Sequence, residues 1–280
     1  KVEYIHGGVS RNVVEDIANM ELRPTFLSIV DESALGDAVV RKLNNHKVNT
    51  EYIQSAPNGM GTWLAVFDNN GDLAGSISQR PDLMPLLDVL AKKGDEIFAN
   101  ADSIIIEVDV DKEIVKKVVE LCEKHQKKLY GVVSNMSIAV ERRDFLQKFD
   151  CFICNQLEAG MFFADDFSET APKELAEILA KKLQLAKIPS MVVTMGGAGS
   201  VYADMKGKKG FCPAKKVQVK DTTGAGDAFC AGVSSGLTYG KTLAESVEIG
   251  TRLAASSALT IRQRRCGRRS VGRSISQAST

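Results

Sequence analysis

Short β-branched apolar runs alternate with amphipathic segments along the chain, and this alternation restricts the possible folds more than any other feature. Residues 103–110 (SIIIEVDV) predict a strand, residues 111–128 place apolar side chains at helical spacing, and residues 128–135 (KLYGVVSN) predict another strand. The same order of strand, helix and strand recurs in residues 151–155, 172–186 and 190–197. Strands that alternate with helices form parallel sheets through right-handed crossovers. We therefore expect an α/β fold with a mainly parallel sheet and helices on both faces.

The composition is typical of a globular chain. The 280 residues are 44% hydrophobic and 25% charged, and the formal net charge of +1 predicts no general attraction to nucleic acid or to membranes. No apolar run reaches the length of a membrane span, and the six cysteines are scattered rather than arranged as a disulfide framework. We therefore expect a cytoplasmic protein with no nucleic-acid or membrane partner.

Positive charge is concentrated near the C-terminus. Glu248 is the last acidic residue, and six arginines lie within residues 262–273. The body of the chain shows no internal repeat and no other break in composition. We expect residues 1–260 to form a single domain and residues 261–280 to form a basic, disordered tail.

One segment departs from the strand and helix alternation. In residues 61–78 (GTWLAVFDNNGDLAGSIS), turn residues separate two half-alternating runs, which predicts an antiparallel hairpin. The first residues of the chain could pair beside it, so that about residues 1–8 and 60–80 form a small β sheet. Such a sheet could cover a ligand as a lid, pair with its twin in a homodimer, or be an edge hairpin without function.

Residues 221–237 (DTTGAGDAFCAGVSSGL) form the most informative segment. Gly224, Ala225 and Gly226 are small residues just ahead of a predicted helix, whose unpaired N–H groups favour anions. Asp227 places a carboxylate in the first helical turn, where it could take a proton from a hydroxyl. A phosphate cradle beside a carboxylate is the minimum apparatus for phosphoryl transfer. A glycine turn followed by a carboxylate that merely suits the helix dipole explains the same residues equally well.

DTTGAGDAF is similar to the signature of the PfkB, or ribokinase-like, family of sugar and nucleoside kinases, and the resemblance extends to about residue 260. It implies a three-layer α/β/α fold with a small β lid, and ATP as the phosphoryl donor. It also implies that Asp227 is the catalytic base and that the backbone of residues 224–226 is the anion hole. Asp221 and Thr223 match positions that in many members help to hold a monovalent cation such as K⁺.

Residues 155–159 (NQLEA) resemble a second motif of the family, NxxE. The resemblance implies that Asn155 and Glu158 organise Mg²⁺ and its waters near the ATP phosphates. Asparagine and glutamate are also ordinary choices at the start of a helix, so the residues alone are equally compatible with a helix cap.

VVTMGGAGSVY resembles the family segment that lies along the nucleotide phosphates. It places Thr194 at the end of a strand, with Gly196, Gly197 and Gly199 after it, where open α/β sheets bind ligands. The resemblance implies that these residues contact ATP, together with Thr223. Taken alone, GGAGS could equally be a hairpin turn.

HGGVSRNVVEDIANMEL, residues 6–22, is similar to the substrate-side motif, in which a Gly-Gly pair lets sugar hydroxyls approach the backbone and an asparagine binds them. The matching residues are Gly7, Gly8 and Asn12, and Arg11 gives the form GGVxRN, which looks closest to the pseudouridine kinases of the family. Members usually begin with a strand ahead of this motif that supplies an aspartate to the substrate. Because the chain opens at Lys1, we expect the native protein to be longer or this form to be compromised.

These resemblances predict an ATP-dependent, Mg²⁺-requiring kinase that phosphorylates a primary hydroxyl of a sugar or nucleoside, with the 5′ position of pseudouridine as the favoured acceptor. The alternatives are another sugar kinase of the family, ribokinase-like or fructokinase-like, or a non-catalytic ligand-binding or regulatory protein on the same fold. A nicotinamide-dependent oxidoreductase is disfavoured because MGGAGS lies late in the chain and no acidic residue follows at the required distance.

Overall fold

The computed structural model describes residues 5–67, 73–218 and 222–259. Its α-helices are α1 (Val9–Asn19), α2 (Ala34–Asn45), α3 (Leu86–Asn100), α4 (Lys112–His125), α5 (Met136–Ala139), α6 (Arg143–Leu146), α7 (Gln156–Phe163), α8 (Pro172–Ala186), α9 (Ala225–Thr238) and α10 (Leu243–Ala258). Its strands are β1 (Ser28–Val30), β2 (Ile53–Ser55), β3 (Thr62–Phe67), β4 (Leu73–Gln79), β5 (Ser103–Glu107), β6 (Lys128–Val132), β7 (Cys151–Asn155), β8 (Ser190–Thr194), β9 (Ser200–Asp204) and β10 (Lys209–Cys212).

A six-stranded sheet forms the centre of the molecule, in the order β10-β9-β8-β7-β6-β5. The four strands from β5 to β8 are parallel, and β9 and β10 continue the sheet in antiparallel pairing. The expected α/β class with a mainly parallel sheet is confirmed. Because parallel strands end on the same side, the residues that follow β5, β6, β7 and β8 meet at one edge, which we call the carboxyl edge.

Helices cover both faces of this sheet. Successive residues of a strand point to opposite faces, and in β7 Phe152 and Cys154 pack into the core shared with α3, α4 and α8. Cys151 and Ile153 pack into the other core, with α1, α9 and α10. The predicted three-layer α/β/α arrangement is therefore confirmed.

The crossover helices form where the apolar spacing predicts them. Helix α8 has the predicted bounds, 172–186, because a proline at its first position suits a helix start and apolar side chains recur every four residues. Its residues Leu175, Leu179 and Leu183 are fully buried against the sheet. Helix α4 buries its apolar side in the same way and ends at Gln126, which adopts a left-handed conformation.

Two small sheets lie outside the central one. Strands β1 and β2 form a parallel pair, and β3 and β4 form the predicted antiparallel hairpin. The expectation that the first residues pair beside this hairpin is wrong for residues 5–8, which form no strand and lead into α1. The reason is local, since Gly8 takes a φ of 99° and turns the chain into the helix.

Some expectations concern residues that lie outside the described ranges. They are the first four residues of the predicted lid, the hairpin turn at 68–72, Asp221 and the basic tail at 261–280. Within the described part of the chain, no helix is both long and apolar enough to cross a membrane.

Candidate active site

The start of α9 presents the most open backbone at the carboxyl edge. Gly224 precedes the helix with a φ of 79°, a conformation that favours glycine, and no side chain caps the first turn. Gly226 is exposed, and a Cβ placed there would meet no atom within 4 Å. The exposed backbone of Gly226 therefore lies where an anion can reach it, whereas the N–H of Ala225 donates to the carbonyl of Thr222 at 3.0 Å.

Asp227 lies in the first turn of α9 and joins it to α1. The Nδ2 of Asn12 donates a hydrogen bond to Oδ2 of Asp227 at 2.6 Å, across 215 residues of sequence. Burial raises the pKa of Asp227 to about 6, the Asn12 bond and Arg11 oppose this rise, and Glu107 adds to it. A carboxylate with this pKa is ionised at neutral pH and is a stronger base than an ordinary aspartate.

The start of α1 has the same form as the start of α9. Gly8 precedes the helix with positive φ and without a side-chain cap, and Gly7 and Gly8 are both exposed. The N–H of Ser10 instead donates to Oε1 of Glu107 at 2.8 Å, which ties α1 to the end of β5. The sequence motif does not identify Glu107, although a carboxylate at the end of a parallel strand is a general signal of a ligand site.

The Arg11 side chain is turned back onto its own helix. Its Nε donates to the carbonyl of Gly7 at 2.9 Å, Nη1 pairs with Glu15, and Nη2 donates to Oδ1 of Asn12. Only 11% of the side chain is exposed. Arg11 therefore lies beside the residues predicted to bind substrate, with its guanidinium engaged in protein contacts.

Asn155 and Glu158 form a capping box at the start of α7. Oδ1 of Asn155 accepts from the N–H of Glu158 at 2.8 Å, and Oε2 of Glu158 accepts from the N–H of Asn155 at 2.7 Å. The cap interpretation is thus correct. Among the described residues this box uses Oε2 of Glu158, and Oε1 can still face a metal's water. Burial, together with the nearby Asp109, raises the pKa of Glu158.

Thr194 ends β8 directly opposite Asn155 on β7. The residues after it form a short 3₁₀ turn, Gly196–Ala198, that leads into the antiparallel β9, so the hairpin-turn interpretation of GGAGS is also correct. A side chain at Gly199 would collide with the backbone of Cys212, whereas Gly196 and Gly197 face open space. A cleft of about 900 Å³ contains Asn155, Thr194 and Gly196, so the second and third motifs share one cavity.

The hairpin of β3 and β4 is fastened at its base to the same edge. Arg80, just after β4, donates to the carbonyl of Asp109 at 3.1 Å and pairs with its carboxylate. The Asp109 side chain is buried and also accepts from the N–H and the hydroxyl of Ser134, at 3.0 and 2.8 Å. The sequence analysis missed this anchor because it depends on two loops that only the fold brings together.

The comparisons with known proteins agree with this geometry. Residues 1–267 match the family model described as pfkB family carbohydrate kinase. The chain belongs to the PfkB family. It is 33% identical over 256 residues to the guanosine-inosine kinase of Exiguobacterium acetylicum, covering 91% of this chain and 84% of that protein. It is 25% identical over 249 residues to the pseudouridine kinase of Escherichia coli, covering 88% and 78%.

The solved structures show the fold of this PfkB kinase. The ribokinase of Arabidopsis thaliana, solved with ribose and ATP, superposes with a TM-score of 0.79 at 20% identity and covers 91% of this chain and 82% of that chain. The ribokinase-like fold is therefore confirmed, as is the prediction that the chain is a sugar or nucleoside kinase. Ribokinase-like kinases use ATP, typically with Mg²⁺.

The PfkB kinase brings its predicted site residues together in two groups. Asn12, Arg11 and Asp227 form one group, and Asn155, Thr194 and Gly196 form the other. Burial raises the pKa of the Cys230 thiol on α9, and the charges of Asp227 and Glu158 add to that rise. Thr223 is described and exposed just before Gly224, whereas its predicted partner Asp221 lies outside the described ranges.

Proposed function

We propose that this PfkB kinase transfers the γ-phosphoryl group of ATP to the 5′-hydroxyl of a nucleoside, with Asp227 as the catalytic base. The observation that carries the proposal is the buried Asp227 carboxylate, bonded to the substrate-side Asn12 and located at an uncapped helix start. The described ranges between residues 5 and 259 act in this proposal as one kinase domain.

The chemical step follows from this placement. The acceptor hydroxyl lies against Asp227, which takes its proton as the oxygen attacks the γ-phosphorus in line with the leaving group. The N–H groups of Gly224 and Gly226 stabilise the charge on the transferring oxygens, whereas the N–H of Ala225 already donates to the carbonyl of Thr222. Gly7 and Gly8, which are exposed and carry no side chain, let sugar hydroxyls approach the backbone of the loop.

Asn155 and Glu158 would hold Mg²⁺ through its waters at the phosphate end of the site. The donor set fits, since Mg²⁺ prefers oxygen ligands, keeps several waters and needs only one or two carboxylates from the protein. Bound there, Mg²⁺ would neutralise charge on the ATP phosphates. Thr194, Gly196 and Gly197 would contact those phosphates from β8, and Thr223 would support a K⁺ ion beside the loop.

Two acceptors stand out within the nucleoside class. A purine nucleoside is favoured by the 33% identity to a guanosine-inosine kinase over 91% of the chain. Pseudouridine is favoured by the GGVxRN form of residues 7–12 and by the 25% identity to a pseudouridine kinase.

A coupled ATP-consumption assay tests the proposal. The panel contains guanosine, inosine, pseudouridine, uridine, ribose and fructose, with Asp227→Asn as the matched inactive control. We expect ATP consumption well above the rate without acceptor for at least one nucleoside, and none above it for the variant. Turnover of the free sugars alone would overturn the nucleoside class, and an active Asp227→Asn variant would remove Asp227 from the base role.

The β3–β4 hairpin acts in this proposal as a lid over the acceptor and as the surface where two copies associate. Its base is fastened to the carboxyl edge through Arg80, and Leu64, Val66 and Ile77 lie exposed on one of its faces. We expect light scattering to show a homodimer that Leu64→Ser with Ile77→Ser converts to a monomer. A wild-type monomer at micromolar concentration would contradict this part of the proposal.

A further inference from the structure

A line of polar contacts leads to Asp227 from a carboxylate to which the sequence analysis assigns no role. Glu15 lies on α1, with 13% of its side chain exposed, and it is surrounded by cations. Its Oε1 lies 3.0 Å from Nζ of Lys42 and 3.5 Å from Nε2 of His46, and its Oε2 pairs with Arg11. Burial raises the pKa of Glu15, but Arg11 and Lys42 outweigh it and hold the pKa below its ordinary value. Glu15 is therefore a charged anchor at neutral pH.

Glu15 fixes the plane of the Arg11 guanidinium. Arg11 donates in three directions, to the Gly7 carbonyl, to Glu15 and to Oδ1 of Asn12. A guanidinium holds its donors in one rigid plane, so fixing two of them aims the third. A lysine at this position has a single ammonium group and cannot make the same three contacts from one plane.

Arg11 in turn decides which way the Asn12 amide faces. Because Nη2 of Arg11 needs an acceptor, Oδ1 of Asn12 faces the arginine and Nδ2 faces Asp227. The opposite orientation would place Oδ1 against the Asp227 carboxylate and Nδ2 against the guanidinium, and both contacts would be repulsive. The bond to Oδ2 then holds the Asp227 carboxylate in one position and leaves Oδ1 to accept from a hydroxyl.

We propose that Glu15 and Arg11 are positioning residues for the catalytic base: Glu15 aims the Arg11 guanidinium, Arg11 orients the Asn12 amide, and Asn12 holds Asp227. This inference rests on the proposed function, in which Asp227 is the base. It moves Arg11 from the predicted substrate contacts to a supporting role, and it gives a role to Glu15, to which the sequence analysis assigns none.

Several other charged or titratable groups face this line of contacts. Glu107 at the end of β5 and Cys230 on α9 face Asp227, and Lys42 and His46 on α2 face Glu15. His6 lies near Arg11 and Lys42, where burial and both cations lower its pKa. A test must therefore separate positioning from the direct effect of a changed charge.

The direction in which the acid limb of the kcat profile shifts separates loss of positioning from the direct effect of a changed charge. Replacing Glu15 by glutamine removes a negative charge, and by direct electrostatics alone this would lower the pKa of Asp227. In the wild type the hydrogen bond from Asn12 lowers the pKa of Asp227. Loss of positioning would weaken this bond and would therefore raise the pKa of Asp227. The two causes predict opposite movements of the acid limb of the kcat profile.

The experiment measures kcat, acceptor KM and ATP affinity from pH 5 to 8 for two variants, Glu15→Gln and Arg11→Lys. Arg11→Lys keeps the positive charge of the side chain. We expect both to lower kcat by about tenfold or more and to move the acid limb to higher pH, with ATP affinity unchanged. The controls Glu120→Gln and Arg41→Lys are exposed residues on α4 and α2 and should behave as wild type. Thermal unfolding shows whether each variant folds. If Glu15→Gln does not fold, the Arg11→Lys variant alone tests the positioning role.

The outcomes distinguish this inference from the proposed function. Wild-type kcat in both variants, or an acid limb that moves to lower pH in Glu15→Gln, would overturn the positioning role. A raised acceptor KM with unchanged kcat in Arg11→Lys would show that Arg11 contacts the substrate instead. If Asp227→Asn, assayed in parallel, keeps its turnover, the proposed function fails as well; if it is inactive, only the positioning role is overturned.

Discussion

Four helices of this kinase begin in two different ways, and the difference separates binding from support. Helices α1 and α9 begin after glycines with φ of 99° and 79° and have no side-chain cap. Helices α7 and α10 begin with complete capping boxes, Asn155 with Glu158 and Thr242 with Glu245. A capping box satisfies two of the first N–H groups of a helix with side chains of that helix start, whereas a glycine start offers no such side chain. At α1 the N–H of Ser10 donates to Glu107 instead, and at α9 the exposed backbone of Gly226 is open to a ligand.

Position in the fold explains the difference. The two glycine starts meet through Asn12 and Asp227, and α7 begins at the end of β7 on the same carboxyl edge. At α7 the box already uses the N–H groups of Asn155 and Glu158, so fewer backbone donors remain there for a ligand. The box of α10 does not take part in the site described here, so it provides a control in the same protein for the box of α7.

The largest expected effect comes from Asp227, at the glycine start of α9. Asp227→Asn keeps the size of the side chain and can still accept from Asn12, but it cannot take a proton. We expect kcat to fall by about 10²- to 10⁴-fold while ATP affinity stays within about twofold. In the wild type, kcat/KM should rise with pH around a midpoint near 6, where Asp227 ionises. Steady-state kinetics from pH 5 to 8 measure both, and a midpoint near 4 would contradict the raised pKa.

The same variant should be more stable than the wild type at neutral pH. Because the folded-state pKa of Asp227 is raised to about 6, folding favours the protonated form, and this stability is present below the unfolded pKa and is lost as pH rises through about 6. The asparagine of the Asp227→Asn variant does not ionise, so the variant does not lose this stability as the pH rises. We expect its free energy of unfolding to exceed that of wild type by roughly 3 kcal/mol at pH 7 and to match it near pH 3. Urea unfolding at the two pH values checks this, and equal stability at pH 7 would contradict it.

The backbone of the glycine start gives the next largest effect. Gly226→Ala adds a methyl group where no atom lies within 4 Å and where φ is not positive, so the fold should accept it. Alanine favours a helix more than glycine, and stability should stay equal or rise by up to about 1 kcal/mol. We expect kcat/KM for ATP to fall by about tenfold, because the methyl group stands where the phosphates approach the N–H groups. A variant that is more stable and fully active would show that α9 does not bind the phosphates there.

Much of the fold and of the glycine helix starts could be predicted from the sequence. Local patterns predict the strands β5 to β8, the bounds of α8, the pairing of β3 with β4 and the segment that starts α9, since each depends on neighbours within a few residues. The glycine motif before α1 is equally visible. The pairing of β9 in antiparallel orientation is anticipated only by the alternative interpretation of GGAGS.

The contacts that support the site could not be predicted in this way. Glu107, the Glu15–Lys42 pair and the Arg80–Asp109 pair act across elements that are far apart in sequence, so no local pattern marks them. The direction of the Arg11 side chain depends on Glu15 and on Lys42 from α2, and the motif alone suggested a substrate contact. The lid prediction for residues 5–8 fails because Gly8 starts α1 there.

The smallest expected effect sharpens the contrast between the two capping boxes. Glutamine replaces glutamate in such boxes, so Glu158→Gln and Glu245→Gln should each change the free energy of unfolding by less than about 1 kcal/mol. Only Glu158 lies at the carboxyl edge, where its charge can hold a metal's waters. We expect Glu158→Gln alone to raise the Mg²⁺ concentration for half-maximal activity severalfold, while Glu245→Gln keeps the wild-type Mg²⁺ curve. If the two variants respond equally to Mg²⁺, Glu158 is a helix cap like Glu245 and the metal has other ligands.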